Sequence, residues 1–167
     1  VEELKGLHPN PETSGYRSHF TYCIRGRPLH ASVYPPVIVL YRRRLASYIQ
    51  DGHTQRLAIS GKLAELNSAI RHDDRKLLRD WLFSQDRYMK LEADKLLRTG
   101  SRDLDWADRI RKLRVVSPLG MFLHCLFVKG LVFDGLAGFY YSFQRMIAES
   151  ILSLCLIRLD LEKFHRE

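Results

Sequence analysis

The chain has 167 residues, 46% of them hydrophobic, which is enough for one domain with a real core and too few for two large ones. Its 27 Lys and Arg against 19 Asp and Glu give a formal charge of +8, which favours a polyanionic partner: nucleic acid, an anionic membrane surface or a phosphorylated substrate. No zinc-finger spacing, RNP-like aromatic motif or helix-turn-helix pattern accompanies that charge, so the recognisable nucleic-acid modules drop out.

At the start, "VEELKGLHPNP" reads as the last turns of an amphipathic helix stopping at Gly6, without an initiator Met or a signal sequence, as expected of a piece of a longer protein. Residues 1–70 then carry strand signals: the aromatic and β-branched "GYRSHFTYCI", the apolar run "PPVIVLYRR", and "QRLAIS" and "KLAEL" on either side of Gly61. From Asp73 the period changes. Leu77, Leu78, Trp81, Leu82, Gln85, Tyr88, Met89, Glu92, Leu96 and Leu97 recur at helical spacing until "RTGS", which predicts about six turns of helix at 3.6 residues per turn. "RDLDWADRIRKLRVV" predicts a second, shorter helix with a basic face, broken at Pro118.

The last stretch, from Ser117 onward, approaches the apolar density of a membrane span, yet Lys129, Asp134, Arg145 and Glu149 interrupt it before about 18 clean residues accumulate. Two helices broken at "KGLVFDG" fit better. They either lie on a membrane surface, with Lys129 and the basic residues 109–114 toward lipid phosphates, or form a buried hairpin against the sheet. Cys23, Cys125 and Cys155 are an odd count without CxxC spacing, each in an apolar run, and read as small buried hydrophobes in a reducing compartment.

Three segments carry candidate chemistry. In "YIQDGHTQRL" the pair Asp51-Gly52 is a strong hairpin signal, and the same segment concentrates polar groups suited to a reaction centre. In "IRHDDRK" Asp73 or Asp74 is placed to cap the following helix, while His72 beside them has the chemistry to ligate a divalent metal or contact a phosphate. "IRGRPL" and "YRRR" offer Arg25, Arg27 and Arg43 as guanidinium forks for a phosphate, or as a solvated rim.

Taken in order, "GYR..F.Y.IRGRPL", "YPPVIVLYRR", "YIQDGHTQRL", a glycine followed by "HDDRK", "W..SQDRYM.LEA..L" and "KG..FDG.AG.YY..QR..AE" resemble the C-terminal part of a bacterial family-2 glycosyltransferase of the lipopolysaccharide-core and cell-envelope glycan subgroup. The resemblance implies an α/β protein of the GT-A, Rossmann-like fold, α+β in this fragment. Residues 1–72 would be the acceptor-side, strand-rich part, 73–114 linking helices, and 115–167 an apolar helical hairpin associating with the membrane.

It also implies inverting transfer of a sugar from a nucleotide donor to a lipid-linked or lipopolysaccharide-core acceptor at the cytoplasmic face of the bacterial inner membrane. No nucleic acid is implied. The divalent cation, Mg or Mn, would be held mostly by a donor-binding N-terminal half outside this chain, so these residues alone should be inactive. His72 takes the place of the family's metal or diphosphate histidine, and Arg25, Arg27, Arg43, Asp73, Asp74 and Arg75 would contact substrate. Where relatives carry a His-Glu pair this chain has Thr54 and Gln55, and Gln55 is no base. Asp51 is the nearest carboxylate that would act instead, with His53 and Gln55 positioning the acceptor. A different class also fits the charge and the apolar C-terminus: a non-catalytic module for anionic membrane surfaces.

Overall fold

The computed structural model describes residues 2–51, 54–100, 104 and 106–165. The fold is α+β, with short strands first and long helices after them. It forms two compact units, Val1–Gln50 with Gln55–Asp74, and Asp51–Thr54 with Arg75–Glu167.

The first unit is organised by one nearly continuous extended segment, β1 (Thr13–Ser18) followed by β2 (Phe20–Ile24). On one side of it runs a second extended segment in parallel, β7 (Lys62–Glu65) beside β1 and β8 (Ile70–Asp73) beside β2. Parallel neighbours need a long connection. Here the connection holds β3 (Arg27–Pro28), which pairs antiparallel with β2, and β4 (Val37–Tyr41), which pairs antiparallel with β1. A 3₁₀ turn at Arg43–Leu45 and the hairpin of β5 (Ala46–Asp51) and β6 (Thr54–Ile59) complete it. Where the two parallel segments leave regular pairing, Ser18 joins them: its buried hydroxyl donates to the Ser68 carbonyl at 2.8 Å. The short helix α1 (Glu2–Lys5) is tied to the same loop, because the Glu3 carboxylate accepts the Asn67 and Ser68 amides at 2.7 Å each; the Ser68 hydroxyl first, and then these amides, hold its pKa below the ordinary value.

The second unit is helical: α2 (Leu78–Arg98), α3 (Trp106–Arg111), α4 (Val116–Leu123) and α5 (Gly135–Phe164). Its core is a cluster of Met89, Ala93 and Leu96 from α2, Leu104, and Leu152 and Leu156 from α5. Of the predicted stripe on α2, Trp81, Gln85, Met89, Glu92 and Leu96 are buried, while Leu77, Leu78 and Leu82 at its start are exposed. The helix begins at Leu78, later than its carboxylates suggest. Leu77 stands at the N-cap without a side-chain cap, and neither Asp73 nor Asp74 caps it; Asp73 ends β8 and is bonded elsewhere. Pro118 differs from expectation as well. It lies in the first turn of α4, where the amide it lacks has no helical partner to lose.

Beyond α4 the chain widens into one π-helical stretch, His124–Val128, breaks at Lys129 and Gly130, and makes a 3₁₀ turn, Leu131–Asp134, before α5. That turn lies across the start of α5 so closely that a Cβ on Gly138 would collide with the Leu131 carbonyl. Gly138→Ala should therefore cost about 2 kcal/mol or more, since an overpacked contact with backbone has no flexible side chain to yield. Gly120→Ala, in α4 with open space around the added methyl, should stabilise by about 0.5–1 kcal/mol. Urea denaturation of the two variants beside the parent chain checks both signs.

Candidate functional site

In the first unit, two motifs 45 residues apart in sequence meet. β2 and β3 are joined by Arg25 and Gly26, both at positive φ (47° and 83°), a tight two-residue turn of the kind that suits the twist of a hairpin. The turn is held from the neighbouring strand. Arg71 donates from Nη2 to the Gly26 carbonyl at 2.6 Å, and Asp73 Oδ1 accepts the Gly26 amide at 3.1 Å. An arginine at positive φ is uncommon and costs conformational energy, and these two bonds from β8 are what fix it. "IRGRPL" and "IRHDDRK" thus meet at one end of the three-stranded sheet β3-β2-β8, on either side of the central β2.

Strand register pairs Tyr22 with His72 and Ile24 with Arg27, so the alternation of the pleat puts Tyr22, His72 and Arg27 on one face. On that face His72 is exposed and sits among aromatic rings: Tyr22 at 5.0 Å, Phe20 at 5.9 Å and Tyr34 at 6.5 Å between centroids. Tyr22 and Tyr34 are stacked at 5.4 Å with an interplanar angle of 6°, which gives the imidazole a stiff wall. Arg25, in the turn, and Arg27, on β3, are exposed at the same end of the sheet. An accessible imidazole with two guanidinium groups nearby in the sheet has the chemistry to receive an anionic oxygen ligand.

Of the other expected residues, Arg43 and Gln55 stand on different elements of this unit. Arg43 is in the 3₁₀ turn after β4 and lines an open cleft of about 490 Å³ with Tyr41, Ala46 and Tyr48, whose tyrosine hydroxyls share a 2.7 Å hydrogen bond. Gln55 is exposed on β6. Asp74 follows β8, and Arg75 opens the helical unit. His53 lies outside the described residues.

Asp51 belongs to the second unit, at the edge of its charged interior. Lys95 of α2 reaches Asp51 Oδ1 at 2.9 Å, Asp108 at 3.1 Å and Glu92 at 3.7 Å. Arg111 of α3 then joins three elements: Glu92 of α2 at 3.1 Å, Asp108 at 3.6 Å, and Glu149 of α5 at 2.9 Å. Glu149 is completed by the Ser117 hydroxyl of α4, donating at 3.1 Å. Glu92, Asp108 and Glu149 are each buried, so these bonds replace the water that the carboxylates lost. Desolvation pulls the Lys95 pKa down, but its hydrogen bonds to Asp51 and Asp108 and the field of Glu92 and Asp108 outweigh it and hold the ammonium above its ordinary 10.5. Arg111 is raised in the same way, burial opposing and Glu149 leading the gain. Asp51 is therefore held as one member of an ion-paired set.

Among the described residues no group of three or more His, Cys, Asp or Glu is arranged to hold a metal ion, so His72 could supply one ligand and no complete site. The thiols are free and quiet: Cys23 and Cys125 are buried, Cys155 half-buried, and burial pushes Cys125 up to about 11. Sequence reasoning missed Lys95 and Arg111 as organisers and Tyr34 as the wall beside His72. The available signal was Glu92 and Gln85 recurring on an apolar helix face. No family model, curated protein or solved structure matches this chain.

Removing the guanidinium should leave three buried carboxylates short of their partner. Arg111→Met is expected to lose about 3 kcal/mol of stability in denaturant titrations. For Lys95, a pKa raised in the folded state means its contribution is complete below 10.5 and is lost only as pH rises through the folded value. The stability gap between the parent and Lys95→Met should then be flat from neutral pH to about 10 and shrink at more alkaline pH.

Proposed function

We propose that the chain is the acceptor-side part of an inverting glycosyltransferase of GT-A type, which moves a sugar from a nucleotide donor to a lipid-linked or lipopolysaccharide-core hydroxyl. The observation that carries this is the convergence of "IRGRPL" and "IRHDDRK": residues expected to meet a leaving diphosphate, Arg25, Arg27 and His72, lie around one end of the sheet β3-β2-β8, which the Arg71 and Asp73 bonds to Gly26 fix. The ordered set of motifs along almost the whole chain supports the same reading.

In this reading the acceptor oxygen forms a bond to the anomeric carbon as the bond from that carbon to the diphosphate breaks, and the acceptor proton passes to a carboxylate. Asp51 is the carboxylate we assign. Its bond to Lys95 keeps it oriented within the helical unit, and His53 would align the hydroxyl. Arg25, Arg27 and His72 offset the charge that accumulates on the diphosphate, through hydrogen bonds that strengthen as it develops. A divalent cation, to which His72 could give one ligand, would supply Lewis-acid help to the same leaving group. Its ligands would come chiefly from a donor-binding half beyond these residues.

In the longer enzyme, Asp51→Asn is expected to lower kcat about 100-fold or more while the donor KM changes little, as for loss of a general base. His72→Ala should raise the cation concentration needed for half-maximal rate. Full turnover by both variants, or turnover of a nucleotide sugar by the 167-residue chain alone, would remove this reading.

A further inference from the structure

Nothing in the transfer chemistry uses the apex where α4 gives way to α5, yet that apex is the least water-compatible surface of the helical unit. Phe133 and Leu136 are 87% and 85% exposed, and Phe127 and Val128 are 65% and 73% exposed, although each is bulky and apolar. The display is built by the backbone. Gly130 and Gly135, both at positive φ, bracket the 3₁₀ turn so that Leu131 points fully inward while Phe133 two residues later points out.

From the apex the apolar surface continues along both helices. On α4 it follows Val116, Leu119 and Leu123, and on α5 Leu136, Phe139, Tyr140 and Phe143, each set at the three- and four-residue spacing of a single helix face. The helices touch through Phe122 and Phe143, whose rings lie 4.8 Å apart. No single helix among the described residues is long and apolar enough to cross a membrane, and the two pieces, Val116–Val128 and Leu131–Phe164, meet at 76°. The geometry suits a wedge entering one leaflet.

Charge selects what covers this face. Residues 108–149 hold six Lys or Arg and three acids, Asp108, Asp134 and Glu149, of which Asp134 lies in the apex turn. Arg111 and Arg114 are engaged by Glu149 and Asp160, but a positive surplus remains, and Lys129 stands in the break itself, between Val128 and Gly130. A second copy would bring the same positive surplus against it. A bilayer rich in anionic headgroups offers both complements at once, acyl chains for the Phe and Leu side chains and phosphates for Lys129.

We propose that the α4–α5 apex is a membrane-docking wedge, inserting Phe127, Val128, Phe133 and Leu136 into the headgroup boundary of an anionic bilayer with Lys129 at the phosphate level. The inference stands on exposure and charge and does not depend on the transferase reading. Flotation of the chain with vesicles of phosphatidylglycerol and phosphatidylethanolamine, and with phosphatidylcholine alone, tests it at low and high salt.

The parent chain should float with the anionic vesicles and less so at high salt. Phe133→Ser with Leu136→Ser should cut partitioning about tenfold or more, since these side chains are already outside the fold and the change removes only membrane contact. Lys129→Glu should weaken binding to anionic vesicles and spare any binding to neutral ones. Phe83→Ser, equally exposed at 74% but on α2, should bind like the parent. A parent chain that stays unfloated, a double variant that floats as well as the parent, or a Phe83→Ser loss of the same size would overturn the proposal. So would a concentration-dependent dimer, dissolved by the double substitution, without vesicle binding.

Discussion

The helical unit depends on one guanidinium. Arg111 sits on a helix of only six residues, too short to hold itself together, and gathers carboxylates from α2 and α5 that would each be intolerable alone in a buried position. Apolar packing of Met89, Leu96, Leu152 and Leu156 supplies the driving force for joining α2 to α5, but it does not choose among the rotations that bury similar area. The ion set does choose. Glu92 and Glu149 can both reach Arg111 at about 3 Å in only one azimuth of each helix, and Ser117 extends the same constraint to α4.

In the first unit the corresponding constraint is made of backbone. β1 and β2 are flanked in parallel by β7 and β8, and everything between them must leave and return within 40 residues. The Arg25-Gly26 turn is the earliest reversal on that route, and β8, the last strand to arrive, secures it through Arg71 and Asp73. Chemistry-bearing residues at both ends of a long excursion are thereby brought to one end of the sheet, which is a sturdier platform than either loop would be alone.

Much of this was legible in the sequence, for reasons that differ by element. The strands followed from short apolar and β-branched runs bounded by Gly and Pro, and α2 followed from a stripe sustained over six turns. The break between α4 and α5 was marked by Gly130 and Gly135. The start of α2 was not legible, because a carboxylate before a helix looks like a cap, and only the distant Gly26 amide shows where Asp73 is used. Arg25 read as a ligand for phosphate rather than as a turn residue, since the turn it makes normally recruits Asn or Gly. Arg111 read as one of the basic residues facing lipid phosphates and Lys95 drew no reading; each has one partner three residues back on its own helix, but the others, Asp51, Asp108 and Glu92 across elements and Glu149 on α5, are paired by no local pattern.

The π-helical stretch at His124–Val128 carries one consequence for chain length. Its loops close over five residues instead of four, so the chain leaves α4 with a phase that an ordinary helix of the same length would not have. Deleting one residue there would let the stretch tighten into regular α-helix, and because a π turn holds about one residue more than an α turn, the chain beyond it would keep nearly the same phase around the axis. Deleting one residue from the regular part of α4 has no such slack and would swing everything after it by about 100°. The widened turn thus carries a surplus residue that sequence change can remove at lower cost than its neighbours.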